Sequence, residues 1–389
     1  MPAKANFSLI TFSNGLQQSR SGCYILIAAW LGMQTLLLWR FGIFTQLESV
    51  KYITEADNIL QNGTVSTPNF WLYSMQIFLI AAAVKLKTGY ISVVIVQFLL
   101  NALATIAFFK LCAKLSNRLI AFWVTLVFIC AFPYQTYNVY LQTESLFFSY
   151  SILFTYYLFS IVKLNWRVAL GLILFTGLLC VTRPTGVLWI PGTVLYLTFN
   201  FFKQYSVVKK TLFLLSGAVL SFFLINLFVG SGGELDLMLP FQQEHIICGV
   251  PGTSTPYLKT LDSNPNSIAG LLYYVTHNFR HFLSLVNQKT FSFWLLYRTY
   301  YSTSHNAFLI AYFLPVIILA VAGLVYACKQ LKPVALYFFT IILLTWLSVL
   351  LSCDDWHNRF FFTLYPSLLL MAAFALKKIL VTKQKAPQL

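Results

Sequence analysis

Residues 306–352 read NAFLIAYFLPVIILAVAGLVYACKQLKPVALYFFTIILLTWLSVLLS, two apolar runs, 306–327 and 334–352, joined by a short link that holds Lys329, Lys332 and Pro333. Each run is about the 20 residues needed to cross a bilayer as a helix, and neither contains a charge. The link is too short to be anything but a turn, so the pair reads as a transmembrane hairpin with its basic turn in the cytoplasm. The same pattern repeats outward along the chain. Runs 23–45, 90–112, 145–162, 211–229 and 361–380 qualify directly. A shorter run, 119–133, is bracketed by Arg118 and by the polar Tyr134 to Glu144, and ends at Phe132-Pro133. The stretch 168–202 is interrupted by Thr182-Arg183-Pro184-Thr185-Gly186 and flanked by basic residues at both ends. Equal flanks imply an even number of crossings, so it reads as a hairpin with Arg183 at the tip.

The sum is an all-α polytopic membrane protein of about ten transmembrane helices, a single integral domain over residues 1–389. Composition agrees. Of 389 residues 59% are hydrophobic and only 9% charged, against about 25% charged in soluble proteins; one soluble core cannot hide that much apolar surface. The 37 Phe, 22 Tyr and 9 Trp suit spans and headgroup belts. The net charge of +16 is carried by residues at the ends of apolar runs, which marks topology and not a nucleic-acid surface. Residues 1–21 are polar and too long for a signal-peptide n-region, so 23–45 is read as a first span and not a cleaved leader. The Lys-rich tail 381–389 is read as a cytoplasmic end.

With both termini inside, sixteen of the 26 lysines and arginines fall in the cytoplasm. That orientation uses basic residues alone. All ten acids nevertheless land outside, which points to chemistry on that side. Two outer loops are large. In 46–89, Tyr52, Ala56, Ile59 and Leu60 at helical spacing before Asn62-Gly63 give an amphipathic surface helix; Phe70 to Leu86 is read as interfacial or re-entrant. In 230–305, Gly230-Ser231-Gly232-Gly233 and Pro251-Gly252 give irregular chain, followed by helix from about Ser267 to Tyr297. Five of the seven cysteines lie in or beside spans and read as fillers. Cys248 and Cys353 both fall outside, which leaves a disulfide between them open.

Candidate chemistry sits at the outer boundary. Glu48, Glu55 and Asp57 follow the first span, with Glu48 and Tyr52 four apart on one helix face. Glu48 is either a general base, its proton affinity raised by apolar surroundings, or a solvated loop acid. Thr143 and Glu144 open a span, where either can cap the helix. Arg183 between two apolar runs needs an anion or a carboxylate partner. The turn Cys353-Asp354-Asp355-Trp356-His357-Asn358-Arg359 is either a phosphate or sugar site or an ordinary polar turn. The histidines lack metal-ligand spacing, so no metal and no cofactor are expected. There is no P-loop, GxGxxG or GxSxG. Any energy or group donor must then come from elsewhere, and a lipid-linked donor fits.

Four stretches, in order, resemble the GT-C superfamily of polytopic glycosyltransferases, which includes protein O-mannosyltransferases and lipid A aminoarabinose transferases. They are Glu48-Ser49-Val50-Lys51-Tyr52 with Ala56, Ile59-Leu60 and Gly63; Pro133 with Thr143-Glu144; Arg183-Pro184-Thr185-Gly186; and Arg359 before a span with Pro366. The resemblance implies inverting transfer of a sugar from a polyprenyl-phosphate donor to a glycan, lipid or protein acceptor, at the outer face of the plasma (bacterial inner) membrane. It implies roles for Glu48, Asp57 and Glu144 in catalysis, for Arg183, Arg359 and His357 at the donor phosphate, and for Tyr52, Trp71 and Tyr73 at the sugar or acceptor. The family's usual acid at the position of Glu48 is Asp. The longer side chain means that either the pocket has adapted or Asp57 is the base. Two other classes compete. A lipid or solute transporter would line a path with Arg183 and the acids; a polysaccharide polymerase or ligase would place its base and arginines in the large loop, at Glu244, Arg280 or Arg298.

Overall fold

Both runs of the opening hairpin are helices in the computed structural model, α14 (Thr303–Gln330) and α15 (Lys332–Leu351). The structure describes residues 20–229, 238–250, 252 and 257–385. The expectations for residues 1–19, for the Gly230–Gly233 turn, Glu234, Asp236 and Pro251, and for the tail beyond Lys385 lie outside the described residues.

Before that hairpin come α1 (Arg20–Phe41), α2 (Glu48–Asn62), α3 (Ser74–Lys85), α4 (Tyr90–Leu115), α5 (Arg118–Cys130), α6 (Phe132–Gln135), α7 (Thr143–Ser160), α8 (Trp166–Thr182), α9 (Trp189–Phe201) and α10 (Val207–Val229). The large loop contributes α11 (Leu239–Gln242), α12 (Ile268–His277) and α13 (Phe279–Leu295), and α16 (Arg359–Lys385) ends the chain. The described residues form no sheet, only two isolated bridges. Each of the ten runs read as crossings is helical. Among the described residues five helices, α1, α4, α14, α15 and α16, are long and apolar enough to cross a membrane alone. A sixth arises if α5 and the Phe132–Val139 segment, bent by 62°, count as one span. The bend falls at Ala131-Phe132-Pro133, where the missing proline N–H and the restricted residue before it end the helix. At 13 residues α9 is about 20 Å long, short of the ~30 Å apolar core of a bilayer.

The chain divides into two compact units. The first holds residues 1–183, 318–327 and 366–389. Here α4 packs on α5 and α7, α1 on α5, and α2 on α3. In the stretch 70–86, a 3-10 turn at Pro68–Tyr73 leads into α3, which buries Gln76, Ile77, Ile80, Ala81 and Ala83 and leaves Phe78 exposed. Helix α2 stops where Asn62-Gly63 predicts, with Gly63 left-handed at φ 74° and its N–H on the Ile59 carbonyl. In the second unit, residues 184–317 and 328–365, α9 packs on α10 and α15, and α13 on α15. Helix from Ser267 onward is borne out, with Ser267 capping α12 through the Gly270 N–H. The two large-loop helices pack with α11 around Phe241, Tyr274 and Leu285.

Candidate functional site

In the first unit, three segments far apart in sequence meet. The chain after α1 pairs with the chain before α7: Phe44 and Tyr140 form a parallel bridge, with Phe44 N–H on Val139 O at 2.9 Å and Leu141 N–H on Phe44 O at 3.1 Å. This register sets Tyr52 beside Thr143-Glu144. A buried amide network then holds the opening of α7. Asn138 donates to Gln34 and Gln135 at 3.1 and 2.9 Å, Gln34 donates to Gln135, and Ser145 donates to Asn138 at 2.8 Å. Such a network fixes one arrangement, because any break leaves a polar group buried without a partner. The third segment arrives through α8, which Arg183 follows as its C-cap residue; Ser74 of α3 donates to Val181 O at 3.4 Å.

At the meeting point Glu144 and Arg183 form an ion pair at 3.0 Å, the carboxylate 0% and the guanidinium 5% exposed. Glu144 is not a helix cap, as one reading of the sequence had it. The cap position is Gln142, which makes no side-chain cap bond. The Tyr52 ring is buried beside the pair, and its hydroxyl hydrogen-bonds with the Thr143 side chain. Burial first, then the negative field of Glu144, hold its phenol well above the usual range, so it stays protonated. Tyr73 packs against Tyr52 at 5.6 Å between ring centroids. The Lys51 ammonium stands 4.3 Å over the Tyr73 ring and 5.5 Å from the Tyr52 ring, close enough for cation–π attraction.

Glu48 is half-buried at the first position of α2, one turn ahead of Tyr52. Its predecessor Leu47 has φ 54° and ψ −126°, a conformation close to the preserve of glycine. The chain accepts that strain at the residue that aims the first turn of α2. Asp57 is half-buried about 140° around α2 from Tyr52, within electrostatic range of Tyr90. Glu55 is buried for a structural reason: it accepts from the Ser66 N–H at 2.6 Å and from the Ser66 hydroxyl, pinning the turn after α2. Trp71 is exposed and packs edge-on against Phe78. The cluster therefore joins Tyr52, Tyr73, Glu144 and Arg183, with Glu48 a turn away and Asp57 and Trp71 turned elsewhere.

Arg359 and His357 belong to the second unit. Arg359 opens α16 and pairs with Asp355 at 2.8 Å, and the His357 N–H rests on the same carboxylate at 3.0 Å. Although its surface is partly exposed, the surroundings desolvate His357, and this first, then the charge of Arg298, then His305, lower its proton affinity, so it is neutral at neutral pH and weak toward a phosphate. Beneath this turn Arg298 pairs with Asp354 at 2.7 Å, both 1% exposed, and donates to Ser292 and to the Asp355 carbonyl. Cys248 and Cys353 form a disulfide, flanked by backbone bonds between Ile246, Cys248 and Asp354.

Sequence reasoning missed Lys51, the Arg298–Asp354 pair and two further groups. Lys289 is fully buried, donates to the Leu350 and Ser352 carbonyls at the end of α15, and stands 4.6 Å over the Phe241 ring. His281 joins Tyr274, at 2.7 Å, to Glu244, at 3.1 Å. Lys51 adjoins Tyr52 in an already quoted motif and was open to notice; the others depend on pairings across the loop that spacing does not reveal. Among the described residues no group of three His, Cys, Asp or Glu is placed to hold a metal ion.

Fold and site together define an all-α, membrane-embedded protein with a buried ionic cluster at the junction of its first helices. No protein-family model matches the chain, and no curated protein matches it either.

Proposed function

We propose that this chain is a membrane glycosyltransferase with about ten crossings and both termini in the cytoplasm. It moves a sugar from a polyprenyl-phosphate donor to an acceptor at the extracytoplasmic face of a cell-envelope membrane. The observation that carries the reading is the convergence of three of the four resembling stretches, through Tyr52, Thr143-Glu144 and Arg183, in one buried cluster. Those stretches were singled out by their residues, their order and their outer placement, none of which requires the side chains to touch.

The roles follow from charge. Glu48, at the half-buried entrance to α2, takes the proton of the acceptor hydroxyl. The oxygen attacks the anomeric carbon as the bond to the lipid phosphate breaks, inverting the centre. The leaving phosphate gains negative charge, and Arg183 neutralises it from a site that excludes water, where the interaction is strongest. Glu144 holds the guanidinium in place and offsets its desolvation while the site is empty. Tyr52, kept protonated, is a donor to the phosphate or the sugar. The polymerase or ligase reading loses one of its residues, because Arg298 is committed to Asp354.

The test uses the purified chain in proteoliposomes with a panel of polyprenyl-phosphate-linked hexoses and pentoses, scored by release of polyprenyl phosphate. Glu48→Gln should abolish release at unchanged thermal stability. Arg183→Lys, which keeps the charge but loses the planar fork, should raise the apparent KM for the donor. Release by no donor in the panel, or full activity in Glu48→Gln, removes the proposal.

A further inference from the structure

Three aromatic side chains of the second unit are arranged unlike those of a membrane belt. Trp356 is 44% and Tyr300 45% exposed, with ring centroids 5.1 Å apart and planes inclined by 42°. Their polar ends point inward. The indole N–H donates to Cys248 O at 2.7 Å, and the Tyr300 and Tyr301 hydroxyls both donate to the Trp356 carbonyl, at 2.7 and 2.8 Å. A belt tryptophan or tyrosine does the reverse: it sinks its ring into hydrocarbon and offers its N–H or O–H to headgroups and water. Here nearly half of the Trp356 and Tyr300 surface is exposed, while the indole N–H and the phenol hydroxyls are spent on the protein.

The support beneath is unusually firm. The Cys248–Cys353 disulfide and the Ile247–Asp354 bridge hold the strip that accepts the indole. Arg298, through Asp354 and the Asp355 carbonyl, locks the turn that carries Trp356. The rings lose little freedom when something settles on them, so contact there yields affinity at low entropic cost. Polar side chains neighbour the rings in sequence: Thr299, Ser302 and Ser304 beside Tyr300 and Tyr301, and His357 beside Trp356, all of them exposed.

We infer that the Trp356–Tyr300 surface binds the C–H face of a pyranose ring, as a docking platform for a glycan. A sugar matches both parts of the surface: axial C–H groups lie against the electron-rich ring faces, and equatorial hydroxyls meet the neighbouring hydroxyl and imidazole side chains. An acyl chain would cover the rings but leave those polar groups unsatisfied. The inference deepens the proposed function by naming the acceptor as a glycan, and for that meaning it rests on it; the binding itself does not.

The experiment uses the full chain in lipid nanodiscs without any lipid donor. Soluble oligosaccharides of glucose, mannose, galactose and N-acetylglucosamine are screened by saturation-transfer NMR. At least one should bind, with saturation concentrated on C–H protons of one ring face. Trp356→Ala and Tyr300→Ala should each weaken it about tenfold, the size of one lost stacking contact; Tyr300→Ala leaves the disulfide untouched and serves if Trp356→Ala misfolds. Trp356→Phe should retain most of the binding. Nanodiscs of brominated phosphatidylcholine address the membrane alternative. Quenching that is equal in the wild type and Trp356→Phe places the indole outside the lipid, as expected; a quenched component that vanishes with Trp356→Phe overturns the inference. So does the absence of binding to any of the oligosaccharides, or binding unaltered in both alanine variants. A chain that cleaves donors but binds no oligosaccharide sinks this inference alone, whereas binding without donor cleavage sinks only the proposed function.

Discussion

Arg183 and Glu144 show what a single buried pair demands of a chain. Removing either partner leaves the other charge in a site without water, a loss of about 3–5 kcal/mol. Glu144→Gln and Arg183→Gln should therefore each lower the melting temperature in detergent, and the double variant should be less destabilised than the two losses added. Strict additivity in that cycle would mean that the pair at 3.0 Å contributes no coupling. Lys289 makes a second prediction at this scale. Burial pushes its ammonium down to about 7 from 10.5. Between those pH values the unfolded chain holds a proton that the folded chain has released, so stability rises with pH across that window. The melting temperature should climb from pH 7 to pH 9, and Lys289→Met should remove that climb. Leu47, strained at φ 54°, gives a prediction of opposite sign: Leu47→Gly should stabilise by about 1 kcal/mol or less, the relief of strain minus the entropy of glycine. A lower melting temperature in that variant would show that no strain is stored there.

At the scale of elements, two devices fix how helices of the first unit lie. One is the break after α5. A straight helix through residues 118–139 would carry Asn138 and Gln135 past the start of α7; the 62° bend turns them toward Ser145 and Gln34. The other is a close approach of α14 and α16 within the first unit. A Cβ on Gly323 would lie 1.9 Å from the Met371 carbonyl oxygen, so the backbones touch where only glycine fits, as packed membrane helices often do. Gly323→Ala should cost about 1–3 kcal/mol, read as a fall in melting temperature. A tolerated alanine would mean that the two helices are not held at that distance.

For the whole molecule, the disulfide ties together two loops 105 residues apart in sequence. Closing a loop of that length in the unfolded chain accounts for up to about 4.7 kcal/mol in the chain-entropy account. Cys353→Ser should destabilise the protein, and reductant should bring the wild type to the same melting temperature. The bond also gives a handle on orientation, since disulfides persist in oxidising compartments. In intact cells an impermeant thiol reagent should reach Cys248 and Cys353 after reduction, but not Cys328, which is free near the end of α14. Labelling of Cys328 from outside would reverse the proposed topology.

Much of this was written in local pattern. Charge-free runs of span length determine helices wherever they occur, because a backbone in lipid must satisfy its own hydrogen bonds. Asn62-Gly63 ends α2 and Ser267 opens α12 by local geometry alone, and the order of Glu48, Glu144 and Arg183 along the chain was enough to propose a site. Partner choice was not local. Whether Glu144 caps a helix or holds Arg183, whether Glu55 serves chemistry or merely Ser66, and which face of α3 is buried all depend on which segments meet. So does the burial of Arg298 and Lys289. Those outcomes came from long-range packing, since the cost of an unpaired buried charge is set by what stands beside it in space, and neighbours across a hundred residues leave no period in the sequence.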